Sequence, residues 1–166
     1  ESFYKTYNIP VAVIRPFNTY GPRQSDRAII PTIIIQALKK KIIKIGSTAP
    51  RRDLNYISDT VNGFIKIAAS EKSIGQVINI GAGKDISIGE LVQMILSIMN
   101  KNIKIISSDE RKRPQKSEVM QLLCDNNKSK KLVGWKPEIS LRKGLIKTIQ
   151  WIKNHPECYN PDKYHI

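Results

Sequence analysis

Short runs of β-branched apolar residues alternate with capped, amphipathic stretches along almost the whole chain, and that alternation sets the fold class before any motif is considered. Residues 11–14 (Val-Ala-Val-Ile) follow Asn8 and Pro10 and carry no polar alternation. They read as a parallel-type strand buried on both faces. Further strands are expected at 42–45, 54–57, 76–80 and 103–106. Between them, residues 29–40 read as a helix, with Pro31 in the first turn, where a missing N–H is harmless, and lysines in the last turn, where they suit the helix dipole. Ser58 reads as the cap of a helix over 58–69, with Asp59 in its first turn. Ser87 and Glu90 have the spacing of a capping box that starts a helix to about residue 100. A short helix opening at Asp125 or Asn126 ends before Gly134, and Ser140 caps a last one that stops before Pro156. Phe3, Tyr4 and Tyr7 already stand at helical spacing, so the chain reads as starting inside a helix, as a C-terminal piece of something longer.

The class is therefore α/β: the C-terminal part of a Rossmann-like doubly wound sheet, with a smaller α/β lobe attached. Residues 1–41 are assigned to the remnant of the sheet domain, which later segments can also join, and residues 42–166 to the smaller lobe. The most apolar stretch, 29–38, is interrupted by Pro31, Thr32 and Gln36, and no run approaches the roughly 20 residues of a membrane span, so no membrane partner is expected. Cys124 and Cys158 form no CxxC pair and suggest neither a metal site nor a disulfide framework. Two free thiols suit a reducing, cytoplasmic setting. His155 and His165 sit in a polar tail with no ligand pattern around them.

A net charge of +14 admits three sources: a nucleic-acid surface, an anionic small substrate, or lysines scattered over helix faces, as at Lys66, Lys101, Lys128 and Lys147. A nucleic-acid module would cluster its cations around aromatic platforms. Here the aromatics, 7% of the chain, are placed mainly in strands and helix faces, so no nucleic-acid partner is expected.

The segment that concentrates chemistry is Arg15-Pro16-Phe17-Asn18-Thr19-Tyr20-Gly21-Pro22-Arg23, directly after the first strand. It reads as a loop, over 15–25, at the carboxyl end of a strand, where open α/β sheets bind ligands. Two prolines stiffen it, and Asn18 offers both a donor and an acceptor. A rigid surface turn has the same composition, and the residues alone leave both readings open.

This stretch resembles the RPxNxYGPR motif of extended short-chain dehydrogenases/reductases that act on nucleotide sugars. Other segments resemble that family in the same order: Ile30-Pro31; Arg52-Asp53 with Tyr56 and Asp59; Asn79-Ile80-Gly81-Ala82-Gly83; Arg113-Pro114; and Gly134-Trp135-Lys136-Pro137 followed by Leu141, Gly144 and Trp151. The resemblance implies NAD as cofactor, with Pro16 near the nicotinamide. It implies a nucleotide-sugar substrate, with Asn18 near its diphosphate or sugar and Arg52 and Arg113 gripping the diphosphate, a task suited to the planar fork of guanidinium groups. Outside that pattern each arginine would read as a solvated surface charge, and Arg51 is given only that reading. The family's R-P-G-D loop is here Arg113-Pro114-Gln115-Lys116-Ser117-Glu118, so Ser117 or Glu118 is expected to take over the ribose contact of the displaced carboxylate.

The wording of 15–25 and 113–118 looks most like 4,6-dehydratases acting on UDP-N-acetylglucosamine in legionaminic-acid-type pathways, with a UDP-hexose 4-epimerase as the alternative. The resemblance also implies a homodimer for the complete protein, and an N-terminal half carrying what this chain does not. No GxxGxxG fingerprint is present; Gly81-Ala82-Gly83 precedes a helix, but Ile86 stands where the third glycine belongs. The one YxxxK match, Tyr159 to Lys163, encloses Pro161, which would keep the two side chains off a common helix face. No catalytic residue and no metal ligand is assigned within the 166 residues.

Overall fold

The computed structural model describes residues 2–108 and 117–159, and its sixteen elements follow the expected alternation. They are α1 (Ser2–Tyr7), β1 (Val13–Pro16), β2 (Asn18–Tyr20), α2 (Ile29–Lys39), β3 (Ile42–Ile45), β4 (Arg51–Tyr56), α3 (Ile57–Ala68), a 3-10 turn (Glu71–Ser73), β5 (Val77–Ile80), β6 (Asp85–Ser87), α4 (Ile88–Ile98), β7 (Lys104–Ser107), β8 (Gln121–Leu122), α5 (Asn127–Val133), α6 (Leu141–Asn154) and a second 3-10 turn (Pro156–Cys158).

Three small sheets result. β1 pairs parallel with β5, and β3 pairs parallel with β7. β4 is the hub of the third: β2 runs parallel along its C-terminal half, from Asn18↔Leu54 to Tyr20↔Tyr56, while β6 (antiparallel) and β8 (parallel) flank its N-terminal half. The chain therefore changes sheets at Phe17. Its amide still donates to the carbonyl of Ile80, and the next residue already pairs with β4.

Two cores stand behind these sheets. The larger joins α2, α4 and α6 to β3 and β4 around Ile33, Ile34, Ile43, Leu91, Ile95 and Leu145, with the rings of Tyr20 and Tyr56 edge to face at 5.6 Å. Gly144 lets α6 approach that pair: an added Cβ would fall on the Tyr20 hydroxyl and 2.8 Å from Tyr56 Cδ2. A buried Gln36 fastens α2 to β3 by accepting from the Lys44 amide at 2.8 Å and donating to the Lys44 carbonyl at 3.0 Å. The smaller core holds Ile67, Ile78, Ile80 and Trp135, with Ile14, Leu132 and Val133 against it. The indole N–H of Trp135 donates to the carbonyl of Asp59, and Gly63 of α3 lies against Ile80 and the indole.

The helix signals at 87–90 and 140 hold. Ser87 and Glu90 form the reciprocal capping box, and Ser140 Oγ accepts from the Lys143 amide. Gly134 closes α5 in the left-handed region, at φ 61°. Several expectations are corrected. The first strand begins at Val13, not at residue 11, and it is not buried: Val13 is 40% exposed, and among the described residues β1 has one neighbour, β5. An apolar run reports that a strand is meant to be covered, not that the same chain covers it. The motif over 15–25 is not wholly a loop, because Arg15 and Pro16 close β1 and Asn18–Tyr20 form β2. Ser58 does not cap α3, which starts at Ile57 from Tyr56 with no side-chain cap. Asp59 instead turns inward, and its carboxylate accepts from the amides of Glu138 and Ile139. The strand expected at 54–57 starts earlier, at Arg51, and β6 and β8 were too short to leave a pattern.

Candidate functional site

The sequence-marked residues converge where the chain changes sheets. Pro16 ends β1 and is exposed; as the last residue of a strand it has no further ladder bond to donate. Asn18 opens β2, is exposed, and donates from Nδ2 to the carbonyl of Asp53 on β4 at 3.3 Å. One residue earlier on β4, Arg52 forms an ion pair with Glu118, Nη2 to Oε1 at 2.9 Å, with both side chains less than one-fifth exposed. Arg52 Nη1 also donates to the carbonyls of Val119 and Arg51, at 2.6 and 2.9 Å. Two residues marked by the resemblance as substrate contacts, Glu118 there as an alternative to Ser117, thus touch each other across 66 positions. Ser117 is exposed, next to Glu118. Arg113 and the rest of 109–116 lie outside the described residues.

Arg51 departs from the solvated reading. Its Nε binds Asp85 at 2.9 Å and its Nη1 reaches Glu90 at 3.2 Å, a link between β4, β6 and the capping box of α4. The Asp85 carboxyl is held below its usual range by the hydrogen bond from Gln121 and then by that from Arg51.

Asp53, unmarked except as part of a motif, is the most enclosed polar group of the site, with no exposed surface. Oδ1 accepts from the Ala82 amide at 2.7 Å, and Oδ2 from the Gly83 amide at 2.8 Å and the Cys124 amide at 3.2 Å. Burial pushes its pKa up, against the pull of those amide bonds. Successive N–H groups with a left-handed residue form an anion-binding concavity, and Gly83, at φ 70°, supplies that conformation. In this chain the anion in the Gly81-Ala82-Gly83 turn is a side chain of its own. The turn is consequently not a phosphate cradle, and nothing else described around Pro16 offers one. The described residues do not fit a whole dinucleotide; they offer it one exposed edge at Pro16.

Two groups that could pass for catalytic ones are set in the wrong direction. The hydroxyl of Tyr159 donates to the carbonyl of Gln24 at 3.0 Å, and burial raises its pKa to about 12, opposite to what a base needs. Lys163 lies outside the described residues. The thiol of Cys124, buried beside Asp53, is also pushed up to about 12, chiefly by desolvation. Among the described residues no group of three or more His, Cys, Asp or Glu could hold a metal ion, and no helix is long and apolar enough to cross a membrane.

The family model described as GDP-mannose 4,6 dehydratase matches residues 1–148. UDP-glucuronate 4-epimerase of Thermodesulfobacterium geofontis is 34% identical over 159 residues, a match that covers 94% of this chain and 47% of the relative. UDP-N-acetyl-alpha-D-glucosaminuronate decarboxylase of Bacillus cytotoxicus is 33% identical over 156 residues, covering 90% of this chain and 48% of the relative. The crystal structure of UDP-glucuronic acid 4-epimerase from Bacillus cereus, in complex with UDP-glucuronic acid and NAD, superposes with a TM-score of 0.84 at 31% identity, over 92% of this chain and 48% of that one. The chain spans about half the length of the curated relatives it matches.

Proposed function

The chain belongs to the GDP-mannose 4,6 dehydratase family of nucleotide-sugar epimerases and dehydratases within the extended short-chain dehydrogenases/reductases, and from that premise we propose that it is the substrate-binding half of an NAD-dependent nucleotide-sugar enzyme. The observation that carries this reading is the junction at Phe17, where Asn18 of β2 joins Arg52 of β4 and its ion-pair partner Glu118 on one sheet while Pro16 ends a strand of the other. Arg52, with Arg113 from the 109–116 segment, grips the diphosphate; Glu118 or Ser117 holds the ribose; Asn18 meets the diphosphate or the sugar. Glu118 keeps the Arg52 guanidinium ordered before a second anion arrives.

NAD supplies hydride transfer at the sugar's C4 in the complete enzyme, and Pro16 borders its nicotinamide. Its phosphates fall to the other half on this reading, since among the described residues the amide nest near Pro16 is filled by Asp53. That other half also covers β1 and α3. Among the described residues one edge of β1 is unpaired, and α3 turns Ile57, Val61, Phe64 and Ile65, spaced as one helical face, outward at 37–62% exposure. The complete protein is a cytoplasmic homodimer.

The reaction we favour is 4,6-dehydration of a UDP-N-acetylhexosamine, on the wording of 15–25 and 113–118. A 4-epimerase is the second reading, favoured by the 34% identity to a UDP-glucuronate 4-epimerase. Given UDP-N-acetylglucosamine, the complete enzyme is expected to yield a 4-keto-6-deoxy sugar; a C4 epimer would select the second reading, and neither product would overturn both. The 166-residue chain itself should bind UDP in calorimetry without retaining NAD. Arg52→Ala should weaken UDP by about 1.5–3 kcal/mol, the scale of a charge-assisted hydrogen bond. Equal affinity in chain and variant would remove Arg52 from the site.

A further inference from the structure

We propose that Asp53 is a positioning residue of this site: a buried carboxylate whose bonds to the main-chain amides of Ala82, Gly83 and Cys124 hold the strand ends carrying Pro16, Asn18 and Arg52 in one fixed arrangement. Those bonds lead to two different parts of the site. Ala82 and Gly83 form the turn that ends β5, and β5 is the strand that pairs with β1 up to Pro16↔Ile80. Cys124 follows β8, which pairs with Arg51 and Arg52 and is preceded by the segment in which Glu118 and Val119 hold the Arg52 guanidinium. The main-chain oxygen of Asp53 accepts from Asn18, which opens β2. One residue of β4 thus ties the turn after β5, in one sheet, to β2 and to the segment after β8, in the other.

The choice of a charge is informative. Enclosing a carboxylate costs free energy, and no cation within ion-pair distance of Asp53 offsets it among the described residues. Three amide donors do so instead. An apolar side chain would avoid the desolvation but could not fix direction: Oδ2 alone accepts from both Gly83 and Cys124, and Oδ1 holds Ala82 as well. The cost also explains why the glycines stand where they do. Gly83 adopts φ 70°, and a Cβ on Gly81 would fall 2.5 Å from Cys124 Cβ, so the turn can close on the carboxylate only with glycine at both positions. An asparagine at 53 would keep one acceptor and present an NH₂ to a donor on its other side, at Ala82 or at Gly83 and Cys124 according to which way the amide faces, with almost no change of volume.

The inference rests on the substrate reading above, and its test separates the two. Amide hydrogen exchange of the 166-residue chain and of Asp53→Asn is followed by NMR, with UDP titrations of both. The expected result is that the Ala82 amide, or the Gly83 and Cys124 amides together, exchange at least ten-fold faster in the variant while the amides of β3 and β7 keep their protection, and that UDP affinity drops about ten-fold or more in the folded variant. A residue that only stabilises the fold would leave the affinity of the folded molecules unchanged, and that outcome overturns the proposal. So does unaltered protection at all three of Ala82, Gly83 and Cys124. If the unsubstituted chain shows no heat with UDP, the substrate reading fails, and the exchange pattern alone decides whether Asp53 is the tie. Should Asp53→Asn not fold, the unsubstituted chain answers: the amide resonances of Ala82, Gly83 and Cys124 must shift together with pH at one midpoint, and three unrelated midpoints sink the idea.

Discussion

The two cores of this molecule are built from similar residues and stand in opposite relations to their surroundings. The larger one closes on itself. Three helices cover β3 and β4, and their apolar faces meet around Ile33, Leu91, Ile95 and Leu145, all without exposed surface. The smaller one is covered on one side. Ile67, Ile78, Ile80 and Trp135 are sealed, yet α3, which contributes Ile67 and also buries Asp59, Thr60 and Gly63, shows water the apolar stripe of Ile57, Val61, Phe64 and Ile65. An amphipathic helix that faces its apolar side outward is paired with something other than the chain that carries it. On the proposed reading the smaller core is one face of a larger layer, and the candidate site lies where the strands change partners at Phe17, on the line between the two.

The comparison breaks most readily at Trp135. Removing a fully buried indole that also donates to the Asp59 carbonyl should cost about 3–5 kcal/mol. If the cores are separable, Trp135→Ala should strip exchange protection from β5 and α5 while β3 and β7 stay protected. Uniform loss in denaturant and exchange experiments would make the two cores one cooperative unit.

Gly144→Ala strikes the other core. The new methyl must displace the Tyr20 hydroxyl, which donates to Leu141 O, and the Tyr56 ring. Overpacking of this kind costs about 1–3 kcal/mol, read as a lower urea midpoint, and the loss should appear first in α6.

Surface changes on α3 should cost little and reveal more. Ile65→Lys sits at 62% exposure and is expected to alter stability by less than about 0.5 kcal/mol. The unsubstituted chain, with that stripe and the open edge of β1, should self-associate in spite of its charge, and sedimentation should show Ile65→Lys shifting it toward monomer. A monodisperse unsubstituted chain would show that the stripe needs no cover.

The smallest effect is one of pH. Asp85 and Glu90 are both held below their ordinary values, Asp85 by the bonds from Gln121 and Arg51, Glu90 by the Ser87 amide and hydroxyl and then Arg51. A carboxylate with a depressed folded-state pKa adds stability above its unfolded value, and that stability is lost as pH falls through the folded value. The urea midpoint should therefore drop below about pH 4, the ordinary carboxylate range, and less steeply in Arg51→Met, which removes a shared partner of both groups.

The sequence by itself determined the parts whose cause is local. The capping box at Ser87, the Ser140 cap and the left-handed close at Gly134 each follow from a few neighbouring residues, because their hydrogen bonds and backbone angles are satisfied within one turn. The family wording marked Asn18, Arg52 and Glu118 before any geometry was known. Tertiary structure decided the rest. It turned Asp59 and Asp53 inward to serve amides 79 and 30 residues away, engaged Arg51 with Asp85 and Glu90, and cut the run at 15–25 into strands of two sheets. Each depends on donors and apolar surface brought up from distant segments, and one carboxylate reads alike in sequence whether it will meet water or three main-chain amides.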